Sequence, residues 1–296
     1  MTMSVAPAGP PLPPGRPIDL PGRGATFVRE VAGPAGAPTV VLLHGWTVTA
    51  DLNWHPSYAA LGRYFSVLAL DHRGHGRGLR SLEPFTLEDC ADDVAALARE
   101  LGITRLIAAG YSMGGPVAQL VWHRHPELVA GLVLCATASR FSRQEPAERL
   151  FYSSLAGLSV AARLTPAPLL RPLATAFVRH RVEGLEGSEW AAQQLLTSDA
   201  AAVLQAGSAL GGFDSRSWLD TVRVPTAVVV TSADRVVPPG SQRSLAARIP
   251  GATLHEVDGD HGVCVGAPER FVPVLVEACR SVATRGTQVT GTPVPR

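Results

Sequence analysis

One stretch restricts the folds open to this chain more than any other. It runs Leu106-Ile-Ala-Ala-Gly-Tyr-Ser-Met-Gly-Gly-Pro-Val-Ala-Gln-Leu-Val-Trp122. Leu106 to Ala109 is a short apolar run with the character of a buried strand. Gly110-Tyr-Ser-Met-Gly114 follows and matches G-x-S-x-G. Beyond Gly115, Val117, Leu120 and Val121 recur at helical spacing. A bare match to this motif arises by chance in Gly-rich loops; a strand before it and a helix after it give it chemical meaning. A turn that sharp leaves no room for a Cβ at Gly110 or Gly114. It pushes the hydroxyl of Ser112 outward. The N–H of Met113 falls at a helix start, where backbone donors are unpaired and the dipole favours negative charge.

The flanking sequence repeats the same alternation. Thr39 to His44, Ser66 to Asp71 and Leu132 to Thr137 are apolar, β-branched runs, as expected of strands buried on both faces. Helical segments are expected at Pro56 to Tyr64 and from Thr86 to Gly102. The second opens on Thr86-Leu-Glu-Asp89, which has the spacing of a capping box with Asp in place of Glu. Ile18 to Val31 is expected to hold two edge strands around Pro21-Gly-Arg-Gly24. Strands resume at Thr226 to Thr231 and Ala252 to Val257, and a last helix covers about Pro268 to Val282. The fold class is therefore α/β, with a mostly parallel sheet covered by helices on both faces. Between Ser139 and Trp218 no strand signal occurs, only helical apolar spacing broken by prolines and glycines. We expect a helical cap over 140–217, inserted in a core of 18–139 and 218–284. The Pro-, Gly- and Ala-rich segment 1–17 is expected to be a disordered tail, and 285–296 a mobile one.

Composition removes several function classes. The formal net charge is +1, which offers no electrostatic footprint for nucleic acid or an acidic membrane surface. The chain has no lysine, so a lysine base or Schiff base is excluded. Its four cysteines, Cys90, Cys135, Cys264 and Cys279, form no C-x-x-C pair and are expected to be reduced. No metal site and no cofactor are implied. The N-terminus lacks a charged region followed by an apolar one, and no stretch approaches a membrane span, so the expected location is cytoplasmic.

A serine hydroxyl needs a base to take its proton, and the base needs a carboxylate to orient it. Among nine histidines, His261 lies just past the last strand in Gly259-Asp-His-Gly262. Asp234 lies just past the preceding strand in Ser232-Ala-Asp-Arg235. Both sit at the carboxyl edge of the sheet, where reacting groups gather in open α/β folds. Asp258 and Asp260 compete with Asp234, but residues adjacent to His261 in sequence point away from it.

The motifs His44-Gly-Trp46, Asp71-His-Arg-Gly-His-Gly76, Gly110 to Gly115, Ser232-Ala-Asp234 and the Gly-Asp-His around His261 occur in one order. In that order the chain resembles the α/β-hydrolase superfamily, from about Ile18 to Val282. The resemblance implies Ser112 as nucleophile, His261 as general base and then acid, and Asp234 as its orienting carboxylate. It also implies an oxyanion hole formed by the backbone N–H groups of Trp46 and Met113, with His44 in a structural role behind it. The implied activity is hydrolysis of a carboxylic ester, its acyl part apolar given the many leucines between Phe151 and Phe177. Acyl transfer, thioester hydrolysis, C–C bond hydrolysis and perhydrolysis share the same machinery. A ligand-binding receptor that kept the triad is the reading of another class. Serine at the nucleophile position counts against epoxide or haloalkane chemistry, which relatives run through aspartate. Arg77-Gly78 stands where relatives commonly carry serine, and is expected to alter the mouth of the site. The partner is a small-molecule ester; oligomeric state is left open.

Overall fold

The computed structural model describes residues 9–142, 146–182 and 187–289. Eight strands form one sheet: β1 (Gly15–Leu20), β2 (Gly24–Val31), β3 (Thr39–Leu43), β4 (Ser66–Leu70), β5 (Leu106–Tyr111), β6 (Val129–Cys135), β7 (Thr226–Thr231) and β8 (Thr253–Val257). The helices are α1 (Ala50–Trp54), α2 (Tyr58–Leu61), α3 (Leu87–Glu100), α4 (Gly114–Arg124), α5 (Pro146–Leu164), α6 (Ala167–Val182), α7 (Ser188–Leu196), α8 (Ala200–Gly212), α9 (Pro239–Arg248), α10 (Val263–Gly266) and α11 (Pro268–Val289). The spatial order is β1-β2-β4-β3-β5-β6-β7-β8. β1 and β2 pair antiparallel, as do β2 and β4, and every other pair is parallel. β5, the strand before Ser112, is therefore central, and its six residues are all buried.

Strand periodicity divides the core in two. Val41, Leu43, Ala108, Leu132 and Leu134 face α3 and α4 on one side. Val40, Leu42, Ile107, Ala109 and Val133 face α1, α2 and α11 on the other, against Trp54, Leu61, Phe271 and Leu275. α3 begins where the capping spacing places it, with Thr86 Oγ1 accepting the N–H of Asp89 at 3.0 Å.

Three boundaries differ from the sequence reading. β1 begins at Gly15, inside the segment expected as a tail, because Gly15 to Leu20 pairs in register with Gly24 to Arg29; residues 1–8 lie outside those described. α11 continues to Val289. Arg285 holds its last turns to the sheet by donating to the carbonyls of Gly251 and Thr226 at 2.9 Å; residues 290–296 lie outside those described. The helix expected over Pro56 to Tyr64 is the shorter α2, and an unexpected α1, capped by Thr49, precedes it, with Pro56 between the two. Between β6 and β7 the chain runs through α5 to α8, with residues 143–145 and 183–186 of the expected cap outside those described.

Candidate active site

The strand-turn-helix at Ser112 is tight for identifiable reasons. Ser112 sits at φ +52°, a left-handed conformation that costs a non-glycine residue energy. A Cβ at Gly110 would collide with the Gly114 carbonyl, and one at Gly114 with the Leu43 carbonyl. The conformation is held by the Ser112 N–H donating to Cys135 O at 2.9 Å and by the Thr137 hydroxyl donating to Ser112 O at 2.8 Å.

Ser112 Oγ lies 3.0 Å from His261 Nε2. His261 Nδ1 lies 2.7 Å from Asp234 Oδ2. An ionised carboxylate can only accept, so Nδ1 carries the proton, and Nε2 is left to accept the hydroxyl hydrogen of Ser112. These three residues, 149 and 27 positions apart in sequence, form one hydrogen-bonded line. Asp234 is fully buried at its side chain. Burial opposes its charge, but the His261 ring, the Val237 N–H and the Thr231 hydroxyl outweigh burial and hold its carboxyl below the ordinary range. Oδ1 accepts the N–H groups of Val236 and Val237, both at 2.8 Å. The competing carboxylates are engaged elsewhere. Asp260 caps the Gly262 N–H at 2.8 Å, and Asp258 meets Ser232 and Arg270, each at 3.2 Å.

The loop after β3 approaches Ser112 from the other side. A Cβ at Gly45 would stand 3.4 Å from Ser112 Cβ, so glycine sets how close the two loops come. Both ends of Gly45 are tied. Its N–H donates to Asn53 Oδ1 at 2.8 Å, and its carbonyl lies 2.8 Å from His44 Nδ1. His44 Nε2 accepts the His72 N–H at 2.9 Å, so the His44 proton is on Nδ1 and is donated to Gly45 O. In a trans peptide the carbonyl and the next N–H point opposite ways. His44 thereby turns the Trp46 N–H away from itself. Among the described residues neither Trp46 N–H nor Met113 N–H donates to a protein acceptor. The Trp46 indole points outward, donating to Val203 O of α8 at 2.7 Å; a Cβ at Gly207, one turn on, would run into that ring.

Behind this loop His44, His72 and His75 are fully buried, with His44 4.3 Å from His72 and 5.3 Å from His75 between ring centroids. Burial pushes His44 down to about 4 and His75 to about 3, and His72 well below the usual imidazole range. They are neutral packing groups. Arg77 does not reach the mouth of the site. Its guanidinium donates to buried Asp51 Oδ2 at 2.6 Å and covers the Phe27 ring of β2 at 3.6 Å, with β4 and β3 between it and β5. Cys264 is buried, 3.7 Å from Asn53 Nδ2, and burial pushes its thiol up to about 12, which leaves it inert.

Sequence reasoning missed the residues that brace the site: Asn53, Thr137, Thr231 and Gln242, whose Nε2 reaches Thr231 Oγ1 at 2.8 Å and Asp234 Oδ2 at 3.2 Å. None sits in a motif; Thr231 alone carried a signal, as the strand-end residue three before Asp234.

The family model for the alpha/beta hydrolase fold matches residues 38–268. The chain belongs to the α/β-hydrolase family. A relative from Caulobacter sp. (strain K31), named "Putative carbamate hydrolase RutD", is 31% identical over 81% of this chain and 90% of its own length. The structure of an enol-lactonase from Burkholderia xenovorans LB400 is 26% identical and superposes with a TM-score of 0.72, covering 90% of this chain and all of that one. A thermophilic esterase from Thermogutta terrifontis, 24% identical with a TM-score of 0.73, covers 91% of this chain and 99% of its own and shares the fold. Among the described residues no helix is long and apolar enough to cross a membrane.

Proposed function

We propose that this α/β hydrolase cleaves a carboxylic ester through an acyl-enzyme on Ser112. The observation that carries the reading is the line from Ser112 Oγ through His261 to Asp234, at 3.0 and 2.7 Å. His261 Nε2 takes the Ser112 proton as Oγ attacks the carbonyl carbon. The oxygen that becomes negative is held by the N–H groups of Trp46 and Met113. Donors fixed in advance cost no reorganisation, and one such donor contributes about 2.7–4 kcal/mol in a well-studied protease. Collapse expels the alcohol, which takes the proton from His261. Water, deprotonated by the same nitrogen, then releases the acid and restores Ser112. Asp234, kept ionised, stabilises the imidazolium in both steps. Residues α5 to α8 act as a cap over this edge of the sheet, and the protein works as a small-molecule enzyme in the cytoplasm.

A fluorophosphonate probe should label the wild-type protein stoichiometrically and leave Ser112→Ala unlabelled. Removing the nucleophile of such a triad costs about 10⁶ in kcat. A Ser112→Ala variant that retains a few per cent of ester turnover would remove the assignment. The name carried by the RutD relative makes carbamates the natural second substrate class, since the same attack on a carbamoyl carbon is available to Ser112. Methyl esters and alkyl carbamates of matched size, assayed side by side, decide between them by kcat/KM.

A further inference from the structure

A cavity of about 310 Å³ lies past the carboxyl ends of β6 and β7. Its floor includes Ala138 and Val237. Ala138 follows Thr137, whose hydroxyl holds the Ser112 carbonyl, and the Val237 N–H donates to Asp234 at 2.8 Å. The cavity is thus joined to the nucleophile through Ala138 and Thr137 on one wall and to the acid through Val237 on another. Phe141 and Phe151 make further apolar wall.

Two charged groups interrupt that wall, Arg140 and Glu148. Glu148 has a partner of its own. Arg140, half-buried, has no carboxylate within ion-pair distance among the described residues. Asp214, close enough to feel its charge, is taken by Arg216 through Nε at 2.8 Å and Nη2 at 2.5 Å. A guanidinium drawn partly out of water with its donors unspent pays desolvation without return, unless a ligand brings the counter-charge. Its planar fork matches a carboxylate with two parallel hydrogen bonds.

We propose that this cavity is a carboxylate-recognising subsite. The favoured substrate is then the monoester of a short dicarboxylic acid, its methylenes along the phenylalanine wall and its free carboxylate on Arg140. The proposal rests on the hydrolase reading and specifies the substrate class for it.

The test compares monomethyl succinate, glutarate and adipate with methyl butyrate, pentanoate and hexanoate, following acid release in a pH-stat. At least one monoester should exceed its neutral counterpart tenfold or more in kcat/KM. Arg140→Gln should lower kcat/KM for that monoester at least tenfold more than for the neutral ester, chiefly through KM. Arg140→Lys should restore part of the loss, and Glu148→Gln should improve the monoester a few-fold by removing a like charge. A wild-type preference for the neutral esters, or an Arg140→Gln effect equal on both series, overturns the subsite. Calorimetry with glutarate separates this from failure of the hydrolase reading. Glutarate should bind Ser112→Ala and not Ser112→Ala/Arg140→Gln, whether or not any ester is turned over. Equal binding to both, or to neither, also overturns it.

Discussion

The histidines behind the loop after β3 should make this protein acid-labile in a defined pH window. His44 is buried and falls to about 4, and His75 to about 3, against 6.5 for an ordinary imidazole. The folded protein therefore resists binding protons that the unfolded chain binds readily. Stability rises with pH wherever the unfolded state holds more protons. The contribution is intact above 6.5, where both states are neutral, and is lost as pH falls toward the folded values. At pH 5 each group favours the unfolded chain by about 2 kcal/mol, since each pKa unit is worth about 1.4 kcal/mol. His44 and His75 together remove about 4 kcal/mol, out of a total stability of about 5–15 kcal/mol for a domain. His72 acts with the same sign. Burial pushes the Asp71 carboxyl up, which acts with the opposite sign and is common to wild type and variant. The assay is urea unfolding by tryptophan fluorescence at pH 7.5 and pH 5, on wild type and on His75→Gln. A glutamine keeps a donor for the Arg73 carbonyl, which His75 Nδ1 reaches at 3.1 Å, but it cannot titrate. The wild type should lose about 4 kcal/mol between the two pH values, and the variant about 2 kcal/mol less. Equal stability at both pH values, or the same loss in His75→Gln, refutes the reasoning.

Three further outcomes follow from the geometry. Asp234→Asn should lower kcat by about 10⁴ with little change in KM, because the wrong His261 tautomer is favoured, while Asp260→Asn stays within a few-fold, since the Asp260 carboxylate is turned to the Gly262 N–H. Gly207→Ala drives a methyl into the Trp46 indole and should reduce kcat roughly tenfold or more with KM nearly constant, as the Trp46 N–H shifts from the developing oxyanion; an unchanged kcat would show that α8 does not set that donor. Going from acetyl to hexanoyl esters should raise kcat/KM roughly tenfold or more, at up to ~0.8 kcal/mol per methylene, and Phe151→Ser should flatten that profile while Leu169→Ser and Leu173→Ser leave it alone.

That last contrast corrects where the apolar surface goes. The leucines between Phe151 and Phe177 suggested a pocket lining. In the structure Leu158, Leu164, Leu169 and Leu173 are exposed, Leu155 is buried against α8, and Phe151 and Tyr152 line the cavity. Helical spacing shows that residues share a face, but not which face meets the sheet, because that depends on how the helices pack on one another.

The sequence by itself determined the parallel sheet, the strand-turn-helix at Ser112 and the chain order of serine, aspartate and histidine. Each is a local pattern: a continuous apolar, β-branched run, glycines where a Cβ cannot fit, a reactive side chain just past a strand. Tertiary structure decided what depends on distance through space. It set His261 against Asp234 rather than Asp260, and tied Gly45 to Asn53 across the loop after β3. It turned Arg77 back onto Asp51 and set Arg140 in the cavity wall with no carboxylate in ion-pair distance among the described residues. Residues three apart and residues 149 apart bind with the same hydrogen-bond geometry, as Thr231 with Asp234 and Ser112 with His261 do, and only the folded backbone selects which pairs meet.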